Sequence, residues 1–277
     1  MKKIEKKPKL IFIDLDGTTL DIKKDKTSSV SDENIKAIRE CREKGIEVVI
    51  STGRGELKKT YDINSKLGLP NSIIFWNGSK IIKDQKVIFE KAIDQNVMTE
   101  IFELAAKEKM TVILNSDFKN GSYSTCLFFK AGAFLKGAKA KHHSEYKTNE
   151  KIYKVIFWNI KKEKVANFYD LLNKKYKDFL TISFAGEKNN FLEVTSKGCS
   201  KGEAEKIYAQ YQGINLEDCM HFGDSMNDAS TIGIVGTVVA MANSVEEYKN
   251  KANIISKYAY KNGGLAKTLG ELILNHD

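Results

Sequence analysis

The chain reads as an α/β protein: a parallel-sheet core interrupted by an inserted α+β module. Three observations predict this. Short apolar runs alternate with helical segments over the first 80 residues, that rhythm is lost from about 89 to 188, and it resumes from about 189 to the end. Strands and helices alternating through short connections indicate a parallel sheet covered on both faces. A length of 277 residues suits one large or two medium domains with a sizeable core. The expected division is a core of 1–88 with 189–277, and an insert of 89–188.

Residues 10–13 (LIFI) form a bounded apolar run ending at Asp14, the pattern of a strand buried on both faces. A helix follows over about 31–44, with Ser31 as its N-cap and Gly45 as its stop. A strand over 46–50 leads into Ser51-Thr52-Gly53-Arg54. The next helix, about 56–67, closes near Gly68 with Pro70 beyond, and a third strand, 72–76, leaves through Asn77-Gly78. In the insert the pattern predicts helix 94–108, strands near 111–115 and 123–129, and a helix near 131–140. Strand 153–159, helix 161–176 and strand 180–185 complete it. The core rhythm then returns as strand 191–195, helix 201–212, strand 219–222, a polar loop, strands 237–241 and 253–256, and a short terminal helix.

Composition excludes several functions. The net charge of +9 is made of 42 lysines spread along the chain and only three arginines, Arg39, Arg42 and Arg54. Arginine, with its forked donors, is the usual reader of bases and phosphates, so diffuse lysine reads as a solvated surface and no nucleic-acid partner is expected. No apolar stretch approaches the roughly 18 residues of a membrane span. The run LIFI is also too short for the core of a secretory signal, which leaves the first nine residues as a solvated tail. Cys41, Cys126, Cys199 and Cys219 are scattered without a CxxC pair, which suits a reducing compartment and neither a zinc site nor a disulfide framework. A cytoplasmic protein with no membrane partner is expected.

Four polar segments follow strands or open helices: Asp14-Leu15-Asp16-Gly17-Thr18, Ser51-Thr52-Gly53-Arg54, Lys201-Gly202 and Gly223-Asp224-Ser225-Met226-Asn227-Asp228. In a parallel sheet the first, second and fourth share the edge where ligands bind. Carboxylates gathered there repel one another, and an all-oxygen donor set selects Mg²⁺ over zinc. A hydroxyl, a lysine and free backbone amides beside that ion make a phosphate cradle. The reading is metal-assisted phosphoryl transfer.

The motifs DLDGT, STGR, KG and GDSMND, in this order, resemble those of haloacid dehalogenase (HAD) superfamily phosphatases, nearest to the Cof-type hydrolases. The resemblance covers nearly the whole chain and implies a Rossmann-like core with a large α+β cap between the second and third motifs. FLEVTSKGCSKGEAEKI is similar to the Cof-type stretch with an acidic residue eight positions before the motif lysine, so Glu193 points to Lys201 and not Lys197. VVAMANS at 238–244 and Asn262-Gly263-Gly264 also resemble the family's late strand and terminal turn.

The resemblance implies a small phosphate ester as substrate and a role for each motif residue. Asp14 is the expected nucleophile and Asp16 the acid that protonates the leaving alcohol and later activates water. Thr52, Gly53, Lys201 and Asn227 are expected to hold phosphoryl oxygens. Asp14, the backbone carbonyl of Asp16 and Asp224 are expected to hold Mg²⁺, with Asp228 orienting metal-bound water or Lys201. A mobile cap is expected to close over the core and choose among sugar phosphates, nucleotides and cofactor phosphates. The protein is expected as a monomer or weak homodimer.

The departures are Ser51 where alanine is common, Met226 where Glu or Gly is frequent, and Ser196 where proline is usual. None removes a chemical group. Rival readings are a HAD phosphomutase and a non-catalytic regulatory protein. The insert's lack of arginine disfavours the phosphomannomutase-like form of the first, and the intact motif residues disfavour the second.

Other residues carry plainer readings. Gly17, Gly53 and Gly223 are turn glycines or points of close approach to phosphate. Arg54 contacts substrate or pins its loop. His221, Trp76 and Trp158 read as core, and His142 with His143 as a solvated loop. Phe128, Phe129 and Phe134 read as packing inside the insert, with a substrate pocket as the alternative.

Overall fold

The computed structural model describes residues 6–24, 27–147, 150–186 and 190–275. The chain divides into two compact units, Met1–Phe89 with Lys201–Asp277, and Glu90–Ser200.

The first unit is built on an eight-stranded sheet. Its strands are β1 (Leu10–Ile13), β4 (Glu47–Ser51), β5 (Ile73–Phe75), β6 (Lys80–Lys83), β7 (Lys86–Glu90), β13 (Cys219–Gly223), β14 (Thr237–Ala240) and β15 (Ile254–Ile255). Their order is β15-β14-β13-β1-β4-β5-β6-β7. Pairing is parallel from β15 through β5, and β6 turns back antiparallel on β5. A small antiparallel hairpin, β2 (Ile22–Lys24) with β3 (Thr27–Ser29), follows the first turn. The helices are α1 (Asp32–Glu43), α2 (Lys58–Lys66), α6 (Lys201–Tyr211), α7 (Glu246–Lys249) and α8 (Gly264–Leu269). Ser31 caps α1 by accepting a hydrogen bond from the Asn34 amide, a contact worth about 1 kcal/mol in a typical helix.

The central strand explains where chemistry can sit. β1 is fully buried, as a doubly covered strand must be. Ile13 lies opposite both Ile50 of β4 and Phe222 of β13, so the carboxyl ends of all three strands are level. Strand order reverses about β1, and such a switch point opens a crevice at the strand ends. Asp14, the Thr52 loop and Asp224 follow those three ends.

The second unit holds a five-stranded antiparallel sheet of order β11-β12-β10-β8-β9. Its strands are β8 (Thr111–Leu114), β9 (Ser122–Tyr123), β10 (Lys154–Trp158), β11 (Leu180–Ala185) and β12 (Phe191–Ser196). Helices α3 (Gln95–Lys107) and α5 (Lys162–Tyr176) bury Ile101, Phe102, Phe168 and Leu172 in a core with Val112, Val155, Phe157 and Leu192 of the sheet.

Three expectations need correction. The strand near 191–195 belongs with the insert and not the core, because β12 pairs antiparallel with both β10 and β11. The first unit resumes only at Lys201, and the expected boundary at 188–189 lies outside the described residues. The strand near 123–129 and the helix near 131–140 are replaced by the short β9 and helix α4 (Leu127–Leu135). Leucine, alanine and lysine favour a helix there, and Gly137 at φ +71° follows its end. The hairpins β2–β3 and β6–β7 were not expected, being too short to show a period.

Candidate active site

Asp14 sits at the first residue beyond β1, its amide still donating to the Phe222 carbonyl at 2.9 Å. The chain then turns tightly, with Gly17 at φ +82° and the Thr19 hydroxyl donating to the Asp14 carbonyl at 2.6 Å. A Cβ on Gly17 would lie 2.2 Å from an Asp224 carboxylate oxygen, so glycine is required both by conformation and by approach. What Gly17 makes room for is thus a carboxylate of the fourth motif.

Lys201 opens α6 and is fully buried. Its ammonium donates to Asp14 Oδ1 at 2.5 Å and to Asp228 Oδ1 at 2.6 Å. Asp228 is fully held: Oδ1 also meets His221 Nε2 at 3.1 Å, and Oδ2 accepts from the amides of Asp224 and Ser225, each at 3.0 Å. Burial opposes its charge, but Lys201 and His221 outweigh that and hold its carboxyl well below the usual range.

Asp14, Asp224 and Asp228 each offer an oxygen within 4.8 Å of the others. For Asp14, burial and the neighbouring Asp228 and Asp16 outweigh Lys201 and raise it to about 6. For Asp224, burial and the charges of Asp14 and Asp228 raise it to about 8. The Lys201 ammonium meets two of these three carboxylates, Asp14 and Asp228, and the His221 ring also meets Asp228. The donor set fits a hard divalent cation, which supplies positive charge to oxygen ligands. Since both oxygens of Asp228 are already engaged, Asp14 and Asp224 are the carboxylates left to ligate.

The second motif supplies the other wall. Thr52 is buried, its amide donating to Ile74 and its hydroxyl accepting from the Arg54 amide at 3.1 Å. Gly53 follows in the same bend and is half-buried. Arg54 grips the Asp16 carboxylate through Nε and Nη2, both at 2.6 Å, the forked geometry of a strong ion pair. Arg54, read from sequence as contacting substrate or pinning its loop, ties that loop to Asp16. The side chain of Asp16 is 59% exposed and held by Arg54.

Asn227 lies at the site's margin, accepting from the Ser225 hydroxyl at 2.6 Å and donating to Asn77 Oδ1 at 3.1 Å. Asn77 and Trp76 both have positive φ, 54° and 49°, uncommon for asparagine and strained for tryptophan. Their amides donate to the carbonyls of Thr52 and Arg54, so this strained turn fixes the Thr52 loop. The Asn77-Gly78 pair read from sequence only as a strand exit.

Two further groups were missed. His221 is in the core, but its ring spans Glu205 Oε1 at 2.8 Å and Asp228 Oδ1. Burial would lower it; Glu205 and Asp228 outweigh burial and raise it to about 9, so it is an imidazolium at neutral pH. Asn243 donates to the Gly17 carbonyl at 2.9 Å and reaches Asp224 Oδ2 at 3.4 Å, tying the first motif to the fourth. A buried Glu205 four residues after Lys201 was the available signal for the first group. Asn243 lies in the VVAMANS stretch, whose pattern did not reveal its target. His143 is buried against the Met110 carbonyl, which excludes the solvated loop expected for it.

Residues 11–269 match the family of haloacid dehalogenase-like hydrolases. The chain is 29% identical over 283 residues to phosphatase YwpJ of Bacillus subtilis, covering 90% of this chain and 94% of that one. It is 30% identical over 266 residues to the 5-amino-6-(5-phospho-D-ribitylamino)uracil phosphatase YcsE of the same organism, covering 96% of each. A solved haloacid dehalogenase-like hydrolase from B. subtilis superposes with a TM-score of 0.79 at 25% identity, over 96% of this chain and 100% of that one. The chain belongs to the haloacid dehalogenase-like hydrolases, is of the Cof type, and is a phosphatase.

Proposed function

We propose that the protein is a Mg²⁺-dependent phosphomonoester hydrolase that works through an aspartyl-phosphate. The observation that carries this reading is the buried Lys201 ammonium set between Asp14 and Asp228, with an Asp224 oxygen within 4.8 Å of both aspartates.

An oxygen of the Asp14 carboxylate attacks phosphorus, and the bond from phosphorus to the ester oxygen breaks. Asp16, freed from Arg54 and carrying a proton, gives that proton to the ester oxygen, and the alcohol leaves. Asp16, now a carboxylate, takes a proton from water as the water oxygen attacks phosphorus. The bond from phosphorus to the Asp14 oxygen breaks, phosphate leaves, and both aspartates are restored. Lys201 offsets charge on the phosphoryl oxygens, and the Thr52 hydroxyl, the Gly53 amide and Asn227 orient them. Asp228 keeps Lys201 aimed at Asp14 and is not itself a ligand. Bound by Asp14, the Asp16 carbonyl and Asp224, Mg²⁺ would neutralise the carboxylates and polarise the phosphoryl group.

We assign choice of substrate to residues of the inserted unit, the cap of the sequence reading, and take the substrates to be small phosphorylated metabolites. The YcsE relative's name makes a ribitylaminouracil phosphate one member of the panel to be screened, beside sugar phosphates, nucleotides and cofactor phosphates. The four cysteines are free, which suits a reducing cytoplasm.

The test is turnover of p-nitrophenyl phosphate with and without Mg²⁺, joined to a beryllofluoride soak. Turnover that needs the ion, and a beryllofluoride adduct on Asp14, are expected. Equal turnover after chelation would overturn the metal dependence, and an adduct elsewhere would overturn the covalent route.

A further inference from the structure

Helix α4 of the second unit presents its apolar side to solvent. Its inner side is anchored: Ala133 is buried, and the Phe129 ring lies 5.8 Å from that of Phe118 and 5.7 Å from that of Trp158. The outer side carries Leu127, Phe128, Phe134 and Leu135, exposed at 81, 80, 78 and 80%. With Ala131 they fall at i, i+1, i+4, i+7 and i+8, one continuous stripe about 120° wide at 3.6 residues per turn. Single exposed apolar side chains are ordinary, but four bulky ones aligned along one stripe mark a docking surface.

The charge of the segment that carries the stripe says what it fits. From Phe118 to Ser144 the sequence holds Lys119, Lys130, Lys136, Lys139 and Lys141 and no aspartate or glutamate. Among the described residues these lysines make no ion pair; the ammonium groups of Lys136 and Lys141 lie over the rings of Phe118 and Tyr123, at 5.7 and 5.2 Å. A second copy meeting through this stripe would bring two lysine-rich, acid-free segments together on chains of net charge +9, and like charge opposes that. An anionic surface with an apolar interior satisfies both the lysines and the stripe.

We propose that α4 docks the protein on the surface of an anionic lipid bilayer. The helix lies in the headgroup layer, with Leu127, Phe128, Phe134 and Leu135 turned toward the acyl chains and the lysines on lipid phosphates. No helix among the described residues is long and apolar enough to cross a membrane. The sequence-based expectation of no membrane partner rested on spanning segments alone, and a helix lying on the surface needs none. This inference does not rest on the catalytic assignment.

The experiment is sedimentation of the full chain with vesicles of phosphatidylcholine, pure or with about one-third phosphatidylglycerol. Binding to the anionic vesicles is expected. Neutral vesicles, and separately Phe128→Ser with Phe134→Ser, should each weaken it by about ten-fold or more, and Lys139→Gln with Lys141→Gln should flatten its salt dependence. Both phenylalanines are largely exposed and outside the catalytic machinery, so the double variant should keep its circular dichroism and its turnover of p-nitrophenyl phosphate. If it does not fold, Leu127→Ser alone is read in the same way. No binding to anionic vesicles would overturn the proposal, as would equal binding by wild type and variant, which means adsorption by charge alone. A dimer that the variant abolishes, without vesicle binding, would give the stripe to a second copy instead.

Discussion

Lys201 in the first unit and Lys154 in the second are both buried, with an ammonium 2.5 Å from a carboxylate oxygen. Their surroundings differ. Lys154 of β10 reaches Glu193 of β12, its diagonal neighbour across the antiparallel pair Lys154–Thr195, and so ties two strands of one sheet together. Lys201 meets Asp14 and Asp228 together, with Asp224 close by, and burial together with the neighbouring carboxylates raises Asp14 to about 6 and Asp224 to about 8. Lys154 joins neighbouring strands of one sheet, whereas Lys201 gathers carboxylates of two separate motifs at the strand ends, where burial and like charge shift their protonation together, the pattern expected of a reactive site.

The severest test of this contrast is Asp14→Asn. An amide is no nucleophile, and turnover should fall by about 10⁴-fold or more with circular dichroism unchanged. Retention of a tenth of wild-type turnover would remove Asp14 from its role.

Paired substitutions come next. Lys201→Met should lower kcat for p-nitrophenyl phosphate by about 10²–10³-fold, because charge building on the phosphoryl oxygens loses its partner. Lys154→Met should leave kcat within about two-fold while costing about 3 kcal/mol of stability, the scale for removing one member of a buried pair. Denaturant melts and kcat measured on both variants decide it. Equal losses of kcat would break the distinction.

Asp224→Ala should raise the Mg²⁺ concentration for half-maximal activity by about ten-fold or more. The same variant should lose Mg²⁺ binding heat in calorimetry, a readout independent of turnover. An unchanged titration would place the ion elsewhere.

The smallest effect concerns Glu47, which accepts from Lys83, Tyr208 and Gln212 at 2.8, 2.6 and 2.8 Å. Burial would raise its carboxyl, but these three donors outweigh burial and lower it. The carboxylate's stabilisation is therefore present above the ordinary glutamate value and is lost as pH falls through the lowered one. Thermal melts should show wild type above Glu47→Gln at pH 7, by about 1 kcal/mol, with the gap narrowing below about pH 4.3. A gap independent of pH would mean that shape, not charge, is at work.

Much of this was legible in one dimension. The apolar run before Asp14, the run before Ser51 and the run before Gly223 each end in a polar turn, and burial on both faces of a parallel strand imposes that pattern locally. Other features had no local signature. Strand β12 read as core because a strand's own residues do not say which sheet it joins; pairing with β10 and β11 decides that. Phe128 and Phe134 were expected inside, and they lie outside, because helical period shows which residues share a face but not which face meets a core.

By itself, the sequence determined the alternating α/β order, the polar turns at the strand ends and the chemical groups available there, since period, glycine and carboxylate are properties of neighbouring residues. Tertiary structure alone decided the rest. It brought Lys201, out of 42 lysines, to Asp14 across 187 positions, set Glu205 and His221 behind Asp228, and used Asn243 to tie Gly17 to Asp224. Charges can shift one another's protonation only when they share a dry space, and that space exists only once the sheet has closed over it.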